Sequence, residues 1–349
     1  MTSLPPINEE YLLEVLVDLL NRPSPTGYTD HILESLQETL RPFSEIELRV
    51  TKKGGLVGVW KGEESRSPRG LTAHVDTLGA MVKEIKSSGR LKLTKIGGVP
   101  WNSVEGEGCT VIASKGEDIR GSILIDNASV HVHGKKVGET KRDEDHMEVR
   151  LDVRTSSREE TRELGIRVGD FVCFDPRVEV NGGFIRSRHL DDKAGVACLV
   201  AAIQALQESG GKPAQDTVFH ISNYEEVGHG AASGFPAGLE ELVAVDMAAV
   251  GDGQTSDEFH ATLCVKDSGG PYHYGLNERL RSLAEQHGIA HKVDIYPYYG
   301  SDGEAYWRAG GDVAVSLIGP GVDASHNYER THLDALLATT QWVLAYILS

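Results

Sequence analysis

Apolar positions in the first part of the chain recur at helical spacing. Leu12, Leu13, Leu16, Leu19 and Leu20 line one side of residues 8–20, and Ile32, Leu33, Leu36 and Leu40 line one side of residues 29–41. Glu9 and Glu10 suit the positive end of the first helix, and Pro23 and Pro25 end it. Two short apolar runs, "LVGVWKG" and "RGLTAHVDT", then predict buried strands. From about residue 80 to 183 no strong helical period appears. "MVKEIK" and "RLKLTKI" flank Ser87-Ser88-Gly89, a hairpin signal, and "TVIASKGEDIRGSILI" predicts a second hairpin. "MEVRLDVRT" alternates Val149, Leu151 and Val153, and "GDFVCF" follows. Such short strands with turns between them predict a small β-barrel-like domain.

After residue 183 helices and strands alternate. Residues 194–208 are almost wholly apolar and predict a buried helix. "TVFHISN", "LVAVDMA", "VDIYPYY" and "VAVSLIG" predict strands, with helices near 277–287, 302–309 and 333–348. The expected fold is α/β, a mainly parallel sheet flanked by helices. One α/β domain over 1–79 and 184–349 is interrupted by the β-rich insertion over 80–183. A length of 349 residues is more than one compact core usually holds, which agrees with two domains.

Composition adds exclusions. The formal net charge is −17 with no basic run, so a nucleic-acid partner is not expected. No segment has about 18 uninterrupted apolar residues, so no membrane span is expected. The N-terminal segment "MTSLPPINEEYLLE" lacks the basic-then-apolar order of a leader, and a cytoplasmic location is the expectation. Cys109, Cys173, Cys198 and Cys264 form no C-x-x-C pair, so neither a zinc knuckle nor a disulfide framework is signalled.

The chemistry-bearing residues stand where strands end or helices begin: His74 and Asp76, Asp191 and Asp192, Glu225 and Glu226, Asp246, and His326. Open α/β sheets bind ligands at the carboxyl ends of their strands, so these residues can converge in one crevice. Oxygen and nitrogen ligands without thiolates suit zinc, cobalt or manganese. Five such groups hold two ions if one carboxylate bridges them, at a separation of about 3.5–4 Å. Asp76, two residues from His74 on an extended chain, is placed to accept a hydrogen bond from the ring nitrogen of His74 that faces away from the metal. Glu225 and Glu226 would point to opposite faces of an extended strand; a turn at Gly228 would let both reach the crevice.

The set "AHVDTLG", "LDDKAG", "EEVG", "AVDMA" and a late His resembles the glutamyl aminopeptidase family of two-metal exopeptidases, members of which form tetrahedral assemblies. The resemblance covers nearly the whole chain, including the insertion. It implies one ion on His74, Asp191 and Asp246, a second on Asp191, Glu226 and His326, and Glu225 as general base. It implies two divalent ions per chain (zinc, with cobalt or manganese as alternatives) and hydrolysis of a peptide bond in a short peptide by a hydroxide held between the ions. It also implies that the insertion is a dimerisation and lid domain, in a homo-oligomer built from dimers up to a dodecamer. "RHLDDKAGVA", "KDSGGPYHY" and "NYERTH" look most like a subgroup linked to synthesis of the osmoprotectant N-acetylglutaminylglutamine amide. Departures fall on the substrate side: "GSDGEA" stands where the family commonly has "GTDA", and "HNYERTH" where Ser-Pro and an acid often follow the late His. A two-metal dipeptidase or N-acyl deacylase is the alternative; a glycosidase or metal-free scaffold is the remoter one.

Other residues have plainer readings. Asp192 is expected to cap the apolar helix, Lys193 to be a solvated or orienting charge, and Cys198 to be core. His131 and His133 would share one strand face, at the surface or an interface. His189, His229 and His332 are expected to orient or cap rather than to ligate.

Overall fold

The computed structural model describes residues 3–349; the first two residues of the segment read for a leader lie outside it. A twelve-stranded sheet organises the α/β domain. Its centre is four adjacent strands, Gln215–Ser222, Glu64–His74, Glu241–Val245 and Ala314–Asp323, all parallel to their neighbours in this group. Antiparallel strands extend it on both sides. Ile46–Val50 and Leu56–Trp60 lie at one side, and Glu329–His332, Phe184–Ser187 and Glu179–Asn181 at the other. The parallel strands are buried along most of their length, the first five residues of Glu64–His74 excepted, as a sheet covered on both faces requires.

One face carries the helices Glu9–Leu20, Asp30–Leu40, Leu190–Glu208, Tyr274–His287 and Leu333–Ile347. The Leu190–Glu208 helix is buried at every position from Leu190 to Leu206, Cys198 included, because it lies between the sheet and the Glu9–Leu20 and Leu333–Ile347 helices. That explains its lack of amphipathic alternation. The other face holds a smaller core around Val57, Val218, Leu242, Tyr272 and Leu317.

Six further strands, Gly79–Ile85, Leu91–Ile96, Met147–Leu151, Ile119–Ile125, Gly108–Val111 and Phe171–Phe174, close in that order into an antiparallel barrel. Both hairpins read from the sequence are present. The barrel has its own core, with Leu91, Leu93, Ile123, Val149 and Val172 inward. Residues 130–133 correct one expectation. They form a short exposed helix rather than a strand, so His131 and His133 do not share a strand face. No helix among the described residues is long and apolar enough to cross a membrane.

Candidate metal centre

The parallel strands deliver their C-terminal ends to one crevice. His74 is the last residue of its strand, Asp246 directly follows Glu241–Val245, and the Glu225–Glu226 pair follows Gln215–Ser222. Asp191 opens the apolar helix from across the crevice, and His326 lies on the loop after Ala314–Asp323. Ligand atoms of His74, Asp191 and Asp246 lie within 4.8 Å of one another, as do those of Asp191, Glu226 and His326. His74 Nε2 is 3.0 Å from Asp191 Oδ1 and 4.0 Å from Asp246 Oδ1. His326 Nε2 is 3.6 Å from Asp191 Oδ2 and 3.5 Å from Glu226 Oε2. Asp191 therefore offers one oxygen to each set. Glu225 belongs to neither, with Oε2 3.8 Å from His74 Nε2.

The acidic pair is not on extended chain. Residues Glu225–Val227 form a 3-10 turn between Tyr224 at φ 77° and Gly228 at φ 87°. The left-handed Tyr224 is a strained position for a non-glycine residue. Its ring stacks on His229, 5.1 Å between centroids, which accounts for His229. This turn is why both acids face the crevice.

Asp76 works differently from the expectation. The Nδ1 of His74 is 2.9 Å from the backbone carbonyl of Asp76, not from its carboxylate. The carboxylate accepts the Thr26 hydroxyl at 2.6 Å and the N–H groups of Glu225 and Glu226 at 3.1 and 3.4 Å. It holds the acidic turn, and the ring is oriented by main chain. The geometric reason is that chain leaving a strand end curls, bringing its carbonyl, not the next side chain, under the imidazole. Asp192 does cap the helix, through Gly195 N–H at 3.1 Å, and it also accepts His74 N–H at 3.2 Å. Lys193 is a second correction: it is fully buried, not solvated, and donates to the Arg22 carbonyl at 2.7 Å. His189 is half-buried at the helix start, and His332 accepts the Asp334 N–H at 3.1 Å and so caps the last helix.

Two acids were missed. Glu329 is buried and accepts the N–H groups of Asp191 at 3.1 Å and His326 at 3.0 Å, tying the two ligand segments together. Asp302 is buried and accepts the Ala231 N–H at 2.7 Å and the hydroxyls of Thr72 (3.2 Å) and Ser222. Glu329 sits three residues after His326 in the quoted "NYERTH", and Asp302 in the quoted "GSDGEA". Nothing local distinguishes them from surface acids.

Electrostatics explain what such a site demands. Burial pushes the carboxyls of Glu225, Glu226 and Asp192 well above the usual range, and mutual repulsion adds to it. Asp246 is raised to about 7 by burial and by Asp191, and Glu329 to about 8 by burial and by Asp191. Burial also opposes the charge of Asp191, yet the hydrogen bond from His74 holds its carboxyl below its ordinary value. Burial disfavours a charged His74, but the surrounding carboxylates hold it well above its ordinary value. No Lys or Arg forms an ion pair with Asp191, Glu225, Glu226 or Asp246 among the described residues. Three carboxylates and two imidazoles, with a fourth acid beside them and no Lys or Arg paired to them among the described residues, form a donor set that fits divalent metal. The sets open onto a cleft of about 480 Å³ lined also by Gly98, Pro100, Met247, Tyr298 and Tyr299.

A family model described as M42 glutamyl aminopeptidase matches residues 54–341. The putative aminopeptidase YhfE of Bacillus subtilis is 48% identical over 338 residues, covering 97% of each chain. The lysyl aminopeptidase of Pyrococcus furiosus is 27% identical over 288 residues, covering 81% of this chain and 79% of its own. Among solved structures, the TET1 peptidase of Pyrococcus horikoshii, which can assemble into a tetrahedron or a large octahedral shell, superposes with a TM-score of 0.84 at 23% identity. The match covers 97% of this chain and 99% of that one.

Proposed function

From the premise that this chain belongs to the M42 glutamyl aminopeptidase family, and is an aminopeptidase-type enzyme of a metal-dependent family, we propose that it removes N-terminal residues from short peptides by hydrolysis at two divalent ions. The carrying observation is the pair of ligand sets that share Asp191, with Glu225 beside both and in neither. His74, Asp191 and Asp246 would hold one cation and Asp191, Glu226 and His326 the other. Bound there, zinc, cobalt or manganese would supply Lewis acidity to the scissile carbonyl and acidify a water. Glu225 takes the proton of the attacking water and returns it to the leaving nitrogen. Its raised proton affinity, from burial, suits that exchange. Asp76 keeps Glu225 at that position by holding the backbone of its turn.

The same proposal includes the insertion over 80–183 as a dimerisation and lid domain, in a dimer-based homo-oligomer such as a dodecamer. The assembly of the Pyrococcus horikoshii peptidase supports this. Light scattering that gave a strict monomer at micromolar concentration would refute it. The cytoplasmic location is supported by four buried thiols that are all unpaired. The finer resemblance, to the osmoprotectant subgroup, puts a small modified dipeptide among the candidate substrates.

A panel of free-amine peptides, dipeptides and N-acetylated dipeptides, assayed with added zinc, cobalt or manganese, tests the function. Turnover of free-amine peptides, abolished by chelator and restored by metal, is expected. Turnover confined to N-acylated substrates would replace the aminopeptidase reading with the deacylase one.

A further inference from the structure

We infer that the barrel is a working part of the metal centre: the buried Arg188–Glu107 pair fixes it where the Gly98 carbonyl orients His326. The inference rests on the two-cation reading above. The two histidines of the centre are held unequally. His74 is buried to 2% exposure within the α/β domain, whereas the His326 side chain is 38% exposed on a loop, at a left-handed φ of 63°. With Nε2 turned toward Asp191 and Glu226, the orientation of His326 depends on what holds Nδ1. That atom faces the carbonyl of Gly98 at 3.4 Å, and no other hydrogen bond of the His326 ring is present among the described residues.

Gly98 belongs to the connection between the barrel strands Leu91–Ile96 and Gly108–Val111. The adjacent Gly97, at φ 75°, packs on the other member of the same set: a Cβ there would stand 3.2 Å from the Glu226 carbonyl oxygen. So Glu226 and His326 both rest on a barrel loop. His74 and Asp246 make no hydrogen bond to the barrel among the described residues.

Arg188 joins the parts. It precedes Asp191 by three residues and is only 4% exposed. Its Nε donates to Glu107 Oε2 at 3.1 Å, one terminal nitrogen to the Ser103 carbonyl at 2.6 Å, and the other to the Asn327 carbonyl, next to His326, at 3.4 Å. Glu107, itself buried, also accepts from Arg177 at 3.1 Å. One rigid guanidinium thus touches the barrel connection that carries Gly98, at Ser103 in its middle and Glu107 at its far end, and the loop that carries His326. Its fixed donor directions make it a positioning residue that a lysine does not reproduce.

The test is calorimetric titration of metal-free protein with zinc(II), followed by unfolding temperature and by kcat and KM at low and saturating zinc. The wild type should show two binding steps, and His326→Ala should remove one, which identifies the second set. In Gly98→Ala the new Cβ would lie 3.0 Å from His326 Nδ1. That variant, Glu107→Gln and Arg188→Lys should each weaken the same step about 10–100-fold, the range for residues that orient metal ligands. The other step should be unchanged, and saturating zinc should restore kcat. Gly98→Ala leaves the buried ion pair intact, so the inference stays testable if the charge variants unfold. Two unchanged steps in Gly98→Ala, or equal weakening of both, would overturn it. A wild type that takes up no zinc would instead sink the two-cation reading itself.

Discussion

Glu225 and Glu226 are neighbours with different surroundings. The Glu226 side chain is 4% exposed and faces His326; that of Glu225 is 16% exposed and faces the open side of His74. Two adjacent carboxylates in a dry site repel, and a cation on one relieves both. Glu225→Gln should therefore keep two metals and its fold while losing about 10²–10⁴-fold in rate, because an amide cannot take the proton. Glu226→Gln should weaken one metal and recover activity in excess cation. Metal content and turnover measured on both variants decide it; metal loss confined to Glu225→Gln would reverse the two roles. The residue types were legible along the chain because acids and histidines at strand ends are rare together. The job of Asp76 was not, since it depends on donors from Thr26 and from residues about 150 positions away.

At the scale of elements, the apolar helix seats its first turn directly on a strand end. A Cβ on Gly195 would come within 2.3 Å of the Val245 carbonyl oxygen and 2.4 Å of Asp192 Oδ1. Alanine would gain about 1 kcal/mol of helix propensity, but overpacking at such a contact costs about 1–3 kcal/mol. Neither neighbour can withdraw freely: one is backbone beside Asp246, and the other caps the helix and holds His74 N–H. Gly195→Ala should lower stability in denaturant unfolding and weaken metal at the His74 set. An unchanged midpoint with normal metal uptake would show that the helix can shift. The longer helices and the central strands followed from periodicity here, with ends up to five residues off, while Ile46–Val50, Ala261–Lys266 and Glu329–His332 were not read. The 130–133 segment misled because Val-His-Val-His alternates like a strand yet lies exposed on the barrel surface with no partner strand to pair with.

For the whole molecule, the buried acids make stability depend on pH and metal together. Carboxyls raised in the folded state bind protons that the unfolded chain, with values near 4, has released. Their contribution is lost as pH rises toward and through the folded value: about 7 for Asp246 and Glu304 and about 8 for Glu329, with Glu225 and Glu226 also raised well above the ordinary value by burial. His74, also raised, acts in the same direction. His189 and His220, lowered by burial, act oppositely, but their effect is complete near pH 6.5. Above that, Lys193, lowered to about 7 by burial, opposes the acids, and Lys53, also lowered by burial, acts in the same direction as Lys193. Chelated protein should lose unfolding temperature between about pH 6.5 and 8, while metal-loaded protein should lose much less. Equal slopes in the two states would mean that the acids are not what the metal neutralises.

The chain by itself determined the α/β alternation, the β-rich interruption and the identity of the ligand candidates. Those follow from spacing along a strand or helix and from rare residue types at element ends, both of which are local. Folding decided the rest. It buried Lys193 against a carbonyl from residue 22, made clamps of Glu329 and Asp302, turned the acidic pair through a 3-10 turn, and brought a barrel glycine to His326. Each of these depends on which distant backbone donor or acceptor arrives beside a side chain. That is fixed by sheet order and domain docking, neither of which leaves a periodic mark in the sequence.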